Sequence, residues 1–311
     1  MHKRITWTTT YNIGREETGR YISEELTFDS HGNMLDHTVF GSNGRPENRK
    51  VFRYSEVSGL LLEVAEYDFL NGLVERKEFF ENPEGDICKV VITYNDGSIE
   101  TKEYGFSDLG KADRSTIYDT DGNVVGEEIF VFDDDENVIQ EIEKDAFGNE
   151  LLRIERDFAP GGLLKAERVF VNSALKESTT YSYNAYGSIV AQIKKDGAGV
   201  VIESVVTNYN DQNIPTAKRT EIQSPAGKVI EESSYDETGN VILTEARTSG
   251  KLTFRNACTY DDEQRLISED LLEVTTYGKV ERHERLDHIY EGETHPRLQS
   301  KSRFGELYNE S

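Results

Sequence analysis

Only two of the 311 residues are cysteine, Cys88 and Cys258, and they stand far apart in the chain. A secreted scaffold stapled by disulfides uses more. Two free thiols in a reducing compartment are expected, with a single bridge between them left open. Proline is scarce, at 6 residues, and tryptophan occurs once. No Pro-, Gly- or Ser-rich stretch divides the chain as a linker would. No apolar run follows Met1-His2-Lys3-Arg4, because Thr6, Thr8, Thr9 and Thr10 interrupt it. Neither a secretory leader nor a membrane-spanning helix is therefore expected, and the chain reads as cytoplasmic. Cations are short too: 35 Lys and Arg stand against 59 Asp and Glu, a net charge of −24. That balance repels nucleic acid and anionic membranes, so neither is expected as a partner.

Catalytic signatures are also missing. There is no Gly-x-Ser-x-Gly elbow, no phosphate-binding loop, and no cysteine beside an activating base in sequence. Asp119-Thr120-Asp121-Gly122-Asn123 looks like the start of a calcium loop, but the twelfth position, which needs an acid, is Phe130. A turn in which the Asp side chain caps backbone N–H groups accounts for it. His283, His288 and His295 lie among Glu284, Glu291 and Glu293 at a spacing that fits no zinc motif. The expectation is a non-enzyme with no metal and no cofactor.

What the chain does have is a turn phrase recurring about every 13 residues. It reads aromatic, Asp or Asn, polar residues, Gly, then an apolar residue. Tyr118-Asp119 with Gly122 and Tyr235-Asp236 with Gly239 are clear copies. Phe28-Asp29 with Gly32, Tyr67-Asp68 with Gly72, Phe80 with Gly85, Tyr94-Asn95 with Gly97, Tyr104 with Gly110, Phe158 with Gly162 and Tyr183-Asn184 with Gly187 are looser ones. In three copies the glycine is replaced: Asn137 follows Phe132-Asp133, Asn213 follows Tyr209-Asn210, and Gln264 follows Tyr260-Asp261. Asn tolerates the left-handed backbone and keeps the turn chemistry; Gln fits it less well.

Between turns, the first apolar residue lies six or eight positions before the next aromatic, as from Met34 to Phe40, Val74 to Phe80 or Val124 to Phe132. Even spacing places both on one face of a strand, while a helix would need spacings near three, four and seven. The opposite parity is polar at Glu63 and Glu78. One face is expected to be covered, with the aromatics on it, and the other wet. Tyr183, Tyr209, Tyr235 and Tyr260 recur at the period of two strands, so the hairpin is the repeating unit there. The expected fold is all-β: an antiparallel meander of roughly 18–20 strands. Twisted open sheets of more than about ten strands curl, split or close. A β-solenoid or an open curved shell is therefore expected, with residues 1–21 as an N-terminal cap, 22–280 as the repeat domain and 281–311 as a C-terminal cap or tail. Tyr277-Gly278-Lys279-Val280 reads as the last turn in register.

The Tyr-Asp-x-x-Gly-Asn-apolar phrase resembles the YD repeats of the RHS and teneurin-like shell proteins, from about Phe28 to Leu266. The resemblance implies a spiralling sheet of β-hairpins of the kind that encloses a protein cargo, typically a toxin domain. No autoproteolytic segment or toxin domain is expected after the repeats. The resemblance and the acidity together point to a non-catalytic protein-binding repeat protein. The specific expectation is an immunity-type protein that neutralises a basic toxin domain in bacterial competition. The densest acidic run supplies its candidate docking residues: Asp133, Asp134, Asp135 and Glu136, with Glu141 and Glu143 on the next strand. The alternative is a carbohydrate-binding or cell-surface repeat module using exposed tyrosine rows. The bland reading of the charge is solubility for a long wet sheet.

Overall fold

The structure is a computed structural model, and it describes residues 2–12, 16–107, 110–225, 227–275 and 277–291. Twenty-two strands follow one another without a helix among the described residues. They are β1 (His2–Tyr11), β2 (Glu17–Phe28), β3 (Met34–Phe40), β4 (Pro46–Tyr54), β5 (Leu61–Asp68), β6 (Leu73–Glu81) and β7 (Ile87–Tyr94). Then come β8 (Ile99–Phe106), β9 (Ala112–Tyr118), β10 (Val124–Phe132), β11 (Val138–Asp145), β12 (Glu150–Phe158), β13 (Leu164–Val171), β14 (Ala174–Tyr183) and β15 (Ile189–Asp196). The last are β16 (Val201–Tyr209), β17 (Pro215–Ser224), β18 (Gly227–Tyr235), β19 (Val241–Thr248), β20 (Lys251–Tyr260), β21 (Leu266–Val274) and β22 (Val280–Glu291). Each pairs antiparallel with its neighbour in sequence, so the meander is as expected, with more strands than the repeat count suggested. Residues 2–11 are a full strand of the wall. Among the described residues the turn containing Gly278 is the last, and β22 follows it. Residues 292–311 of the expected C-terminal segment lie outside the described residues.

The solenoid and the open shell are both wrong. β1 pairs with β22 over Lys3–Thr10 and Glu284–Glu291, and the sheet closes into a single 22-stranded barrel. The physical reason is one the repeat cannot show. A long twisted sheet curls, and closure abolishes both edges, whereas an open shell leaves two rows of unpaired backbone groups. At about 4.8 Å per strand, with the usual strand tilt, the barrel is roughly 40 Å across. Side chains cannot fill a cylinder of that width. Accordingly, the only buried apolar residues among those described are Leu26, Phe28, Val64, Ala65 and Val90. The wall is one layer with two wet faces.

The two faces differ in cover. On β14, Thr179, Tyr181 and Tyr183 are covered while Thr180 and Ser182 are exposed; on β18, Val229, Glu231, Ser233 and Tyr235 are covered while Lys228, Glu232 and Ser234 are exposed. On a cylinder, side chains converge on the concave side and splay apart on the convex side. The more covered face is the inner one. The register carries that face around the wall.

Both faces carry charge at mid-strand. On the inner face Arg4 meets Glu24 at 2.8 Å, Lys102 meets Glu128 at 2.6 Å, and Arg156 meets Glu141 at 2.7 Å and Glu167 at 2.9 Å. On the outer face Arg49 meets Asp36 at 2.6 Å, Arg53 meets Glu63 at 3.0 Å and Arg168 meets Glu155 at 3.2 Å. Neither face offers the continuous apolar band of a membrane-embedded barrel wall.

Candidate functional site

The turns are built one way. In the Asp119 copy the Asp119 N–H donates to Asn123 O at 2.9 Å, and the Gly122 N–H donates back to Asp119 O at 3.0 Å. The Asp119 carboxylate accepts from the N–H groups of Asp121 and Asn123 and from the Asn123 amide. These bonds, the Asn123 amide foremost, hold the Asp119 carboxyl below its ordinary range. So the look-alike calcium loop spends its first carboxylate on its own backbone. The fourth turn position needs positive φ, and it is Gly at most turns.

Four turn readings shift by one or two residues. After Phe132-Asp133 the left-handed residue is Glu136, at φ 68°, and Asn137 takes the capping place beyond it. After Tyr67-Asp68 it is Asn71, at φ 60°, and not Gly72. In the Tyr94 copy the turn begins at Tyr94 itself, and the Gly110 turn begins at Ser107 behind Phe106. Asn213 and Gln264 do take the left-handed place, at φ 61° and 65°.

Because strands alternate in direction, turns after even-numbered strands form one rim and turns after odd-numbered strands form the other. At the even rim the last strand residues are Phe28, Tyr54, Phe106, Phe132, Phe158, Tyr183, Tyr209, Tyr235 and Tyr260, with Tyr290 near the end of β22. All of these share the inner face by register. They form an aromatic girdle in which β6 is the gap, because Phe80 points outward, 45 % exposed. The Tyr183, Tyr209, Tyr260 and Tyr290 hydroxyls donate to the carbonyls of Leu164, Ile189, Val241 and Leu266 on neighbouring strands. At the odd rim the aromatics Phe40, Tyr67 and Tyr118 point outward, whereas Tyr94 at the end of β7 faces inward. The expectation that all repeat aromatics share one covered face is thus corrected. The parity within each strand is right, but strand length decides which face its last residue takes.

The even rim is also the acidic one. Glu56, Glu84, Asp134, Asp135, Asp211, Glu237 and Asp262 are exposed there and make no ion pair among the described residues. Its described turn cations are Lys111 and Arg265, already paired with Glu136 at 2.7 Å and with Asp261 at 2.7 Å. Neighbouring turns touch: Asn184 donates to Asn213, which donates to Ser188, and Thr238 bonds Gln264.

The candidate docking residues divide between two places. Asp133 is a turn cap, its carboxylate engaged chiefly by Asn137. Asp134, Asp135 and Glu136 stand exposed on the rim. Glu141 and Glu143 face inward along β11, Glu141 paired with Arg156 and Glu143 opposite Glu128 and Leu152. The six therefore do not make one surface.

A second cluster lies inside, where β1 meets β22. His37 Nε2 is 3.0 Å from Glu24, and Arg4 donates to Glu24 at 2.8 Å. Thr6 Oγ1 lies 3.3 Å from Glu24 and 3.0 Å from His288 Nδ1. His288 Nε2 is 3.1 Å from Glu269, which also accepts from Asn256 at 2.9 Å. A carboxylate only accepts, so the His288 proton sits on Nε2, and in the neutral ring Nδ1 accepts from Thr6. The His37 hydrogen bond and the Arg4 charge outweigh burial and hold Glu24 down to about 2. The network was not legible in the chain: Thr6 and His288 are 282 residues apart. Of the late histidines, His283 stacks near Tyr11 with ring centres 4.7 Å apart, and His295 lies outside the described residues. Cys88 and Cys258 are both free, and burial, with Glu269 nearby, raises the Cys258 thiol.

No family model and no curated protein matches this chain. Among solved structures it is similar to TcdB2-TccC3-TEV, at 11 % identity and TM-score 0.34, covering 86 % of this chain and 22 % of that one. It is similar to a porin-like protein from Bacteroides uniformis ATCC 8492, at 13 % identity and TM-score 0.33, covering 93 % and 96 %. A porin-like protein from Bacteroides vulgatus ATCC 8482 matches at 13 % identity and TM-score 0.23, covering 93 % and 99 %. The chain thus spans about a fifth of the TcdB2-TccC3-TEV chain. At scores this low none of these likenesses bears on what the protein does.

Proposed function

We propose that this chain is a non-catalytic protein-binding barrel, built of YD-like hairpin repeats, that presents its acidic rim to a basic protein domain. An immunity-type protein meeting a toxin domain is the specific form of that reading. The observation that carries it is the even rim: exposed carboxylates on the turns after β4, β6, β10, β16, β18 and β20, with its described cations already paired. A one-signed rim speeds encounter with an oppositely charged partner. Charge on both faces of the wall supports a barrel that stands outside the lipid bilayer. The sugar-binding alternative loses ground, because the tyrosine rows face inward and four of their hydroxyls are spent on backbone carbonyls.

The test uses the full chain cross-linked in its source cell. The captured protein is then purified and its binding kinetics measured at two salt concentrations. The reading expects a basic partner whose association slows several-fold as salt rises and slows again with Asp134→Asn/Asp135→Asn/Glu136→Gln. Association indifferent to both salt and the triple variant would overturn rim docking. Binding to glycans with no protein partner would favour the alternative.

A further inference from the structure

Every adjacent pair of strands in the wall is a hairpin except one. β1 and β22 are joined by no turn, and their pairing closes a loop through the rest of the barrel. Loop closure grows costlier with loop length, so this is the pairing least favoured by chain connectivity. It is also where buried polar groups concentrate. Thr6 and Thr8 are 2 % exposed, Thr9 is 5 %, and the His288 side chain is 6 %. Elsewhere most of the wall's ion pairs join strands that a turn already holds together; Lys102 of β8, which reaches past β9 to Glu128 of β10, is an exception. Here the Thr6 hydroxyl of β1 bonds His288 of β22, and His288 bonds Glu269 of β21. On the other side Arg4 of β1 bonds Glu24 of β2. Buried polar groups that lose their partners are costly, so breaking this chain is penalised beyond the backbone ladder itself.

We propose that the barrel opens along the β1–β22 seam, giving the lumen a side entrance distinct from its two rims, and that the Thr6–His288–Glu269 chain is the latch holding it shut. A seam with no turn opens by unzipping one ladder, whereas parting any other pair of strands leaves a covalent hairpin across the gap. The latch is local and made of side chains, so its strength can change without altering the strands. The inference stands independently of whether the rim binds a basic protein.

Segment-resolved hydrogen exchange on the full chain tests it. In the native protein, amides of β1 and β22 should exchange at least about tenfold faster than those of β11 and β12, which a turn joins. Thr6→Val, which keeps the shape and removes the hydroxyl, should raise seam exchange about tenfold further and leave β11–β12 within about twofold. Ile5 and Ile289 are register partners across the seam. The Ile5→Cys/Ile289→Cys variant, once oxidised, should bring seam exchange down to the β11–β12 level, and reduction should restore it. This second variant keeps the native latch, so it serves even where Thr6→Val fails to fold. A native seam as protected as β11–β12, a uniform rise across the wall in Thr6→Val, or fast seam exchange that persists in the oxidised variant would each overturn the proposal.

Discussion

The two rims of the barrel are made from the same chain by the same hairpins, yet they are not alike. At the even rim nearly every turn spans five residues, and its entering strand ends in an inward aromatic. At the odd rim the turn types vary. Asn172-Ser173 and Ser249-Gly250 are two-residue turns, with positive φ at both positions. Exposed aromatics stand at both rims: Phe147 and Tyr277 are 90 % and 94 % exposed at the odd rim, and Tyr186 is 69 % exposed at the even rim. A repeat of two strands leaves one end of each hairpin under a common constraint and the other free to vary. At the even rim the shared constraint is the girdle, in which the Tyr183, Tyr209, Tyr260 and Tyr290 hydroxyls each bond the first residue of the preceding strand.

The largest expected effect compares an aromatic from each rim. Phe28→Ala, at a side chain 7 % exposed on the even rim, should lower unfolding stability by roughly 3–4 kcal/mol. Phe147→Ala on the odd rim should change it by less than about 0.5 kcal/mol. Chemical denaturation of both variants measures the difference, and equal losses would end the distinction. Tyr118 and Phe132, equivalent as repeat aromatics, should separate less, because both are half-covered and lie on opposite faces.

The next effect concerns pH at the seam. Glu24 is depressed in the folded state, so its contribution is present above its ordinary value of 4.5 and is lost as pH falls toward about 2. Because the side chain keeps some exposure, the loss should be about 1–2 kcal/mol. Glu24→Gln should flatten that part of the stability profile; an unchanged slope between pH 4.5 and 2 would show that Glu24 is not coupled to folding.

Glycines sharpen the comparison further. Gly239, at φ 91° on the even rim, has Ile214 and Pro215 within 3.5 Å of where a Cβ would sit. Gly44, at φ 72° on the odd rim, has open space there. Gly44→Ala should cost about 1 kcal/mol from backbone alone, and Gly239→Ala somewhat more. Thermal unfolding midpoints of the two variants would show it, and a larger loss at Gly44 would contradict the packed-rim picture. The smallest stability effect belongs to the rim carboxylates. Asp134→Asn, Asp135→Asn and Glu136→Gln should leave the unfolding midpoint nearly unchanged while altering association with a basic partner.

Much of the fold is legible in the sequence. Met34–Phe40, Ala112–Tyr118, Val124–Phe132, Val201–Tyr209 and Leu266–Val274 are strands whose ends were marked by turn residues and even apolar spacing. Slips of one residue at Asn71 and Glu136 arose because Asn and Gly each serve in two places of the same turn. The candidate docking set was half legible. Asp134 to Glu136 are where a turn phrase puts them, but whether Glu141 and Glu143 face in or out depends on register with β10 and β12.

By itself the sequence determined the strands, their antiparallel order and the chemistry of each turn, because these depend on residues within one hairpin. Closure was decided only in three dimensions. It depends on the curvature accumulated over 22 strands and on contacts such as Thr6 with His288, between the two ends of the chain. The assignment of an inner face, the aromatic girdle and the acidic rim follow from that closure, because inside and outside exist only once the first strand meets the last.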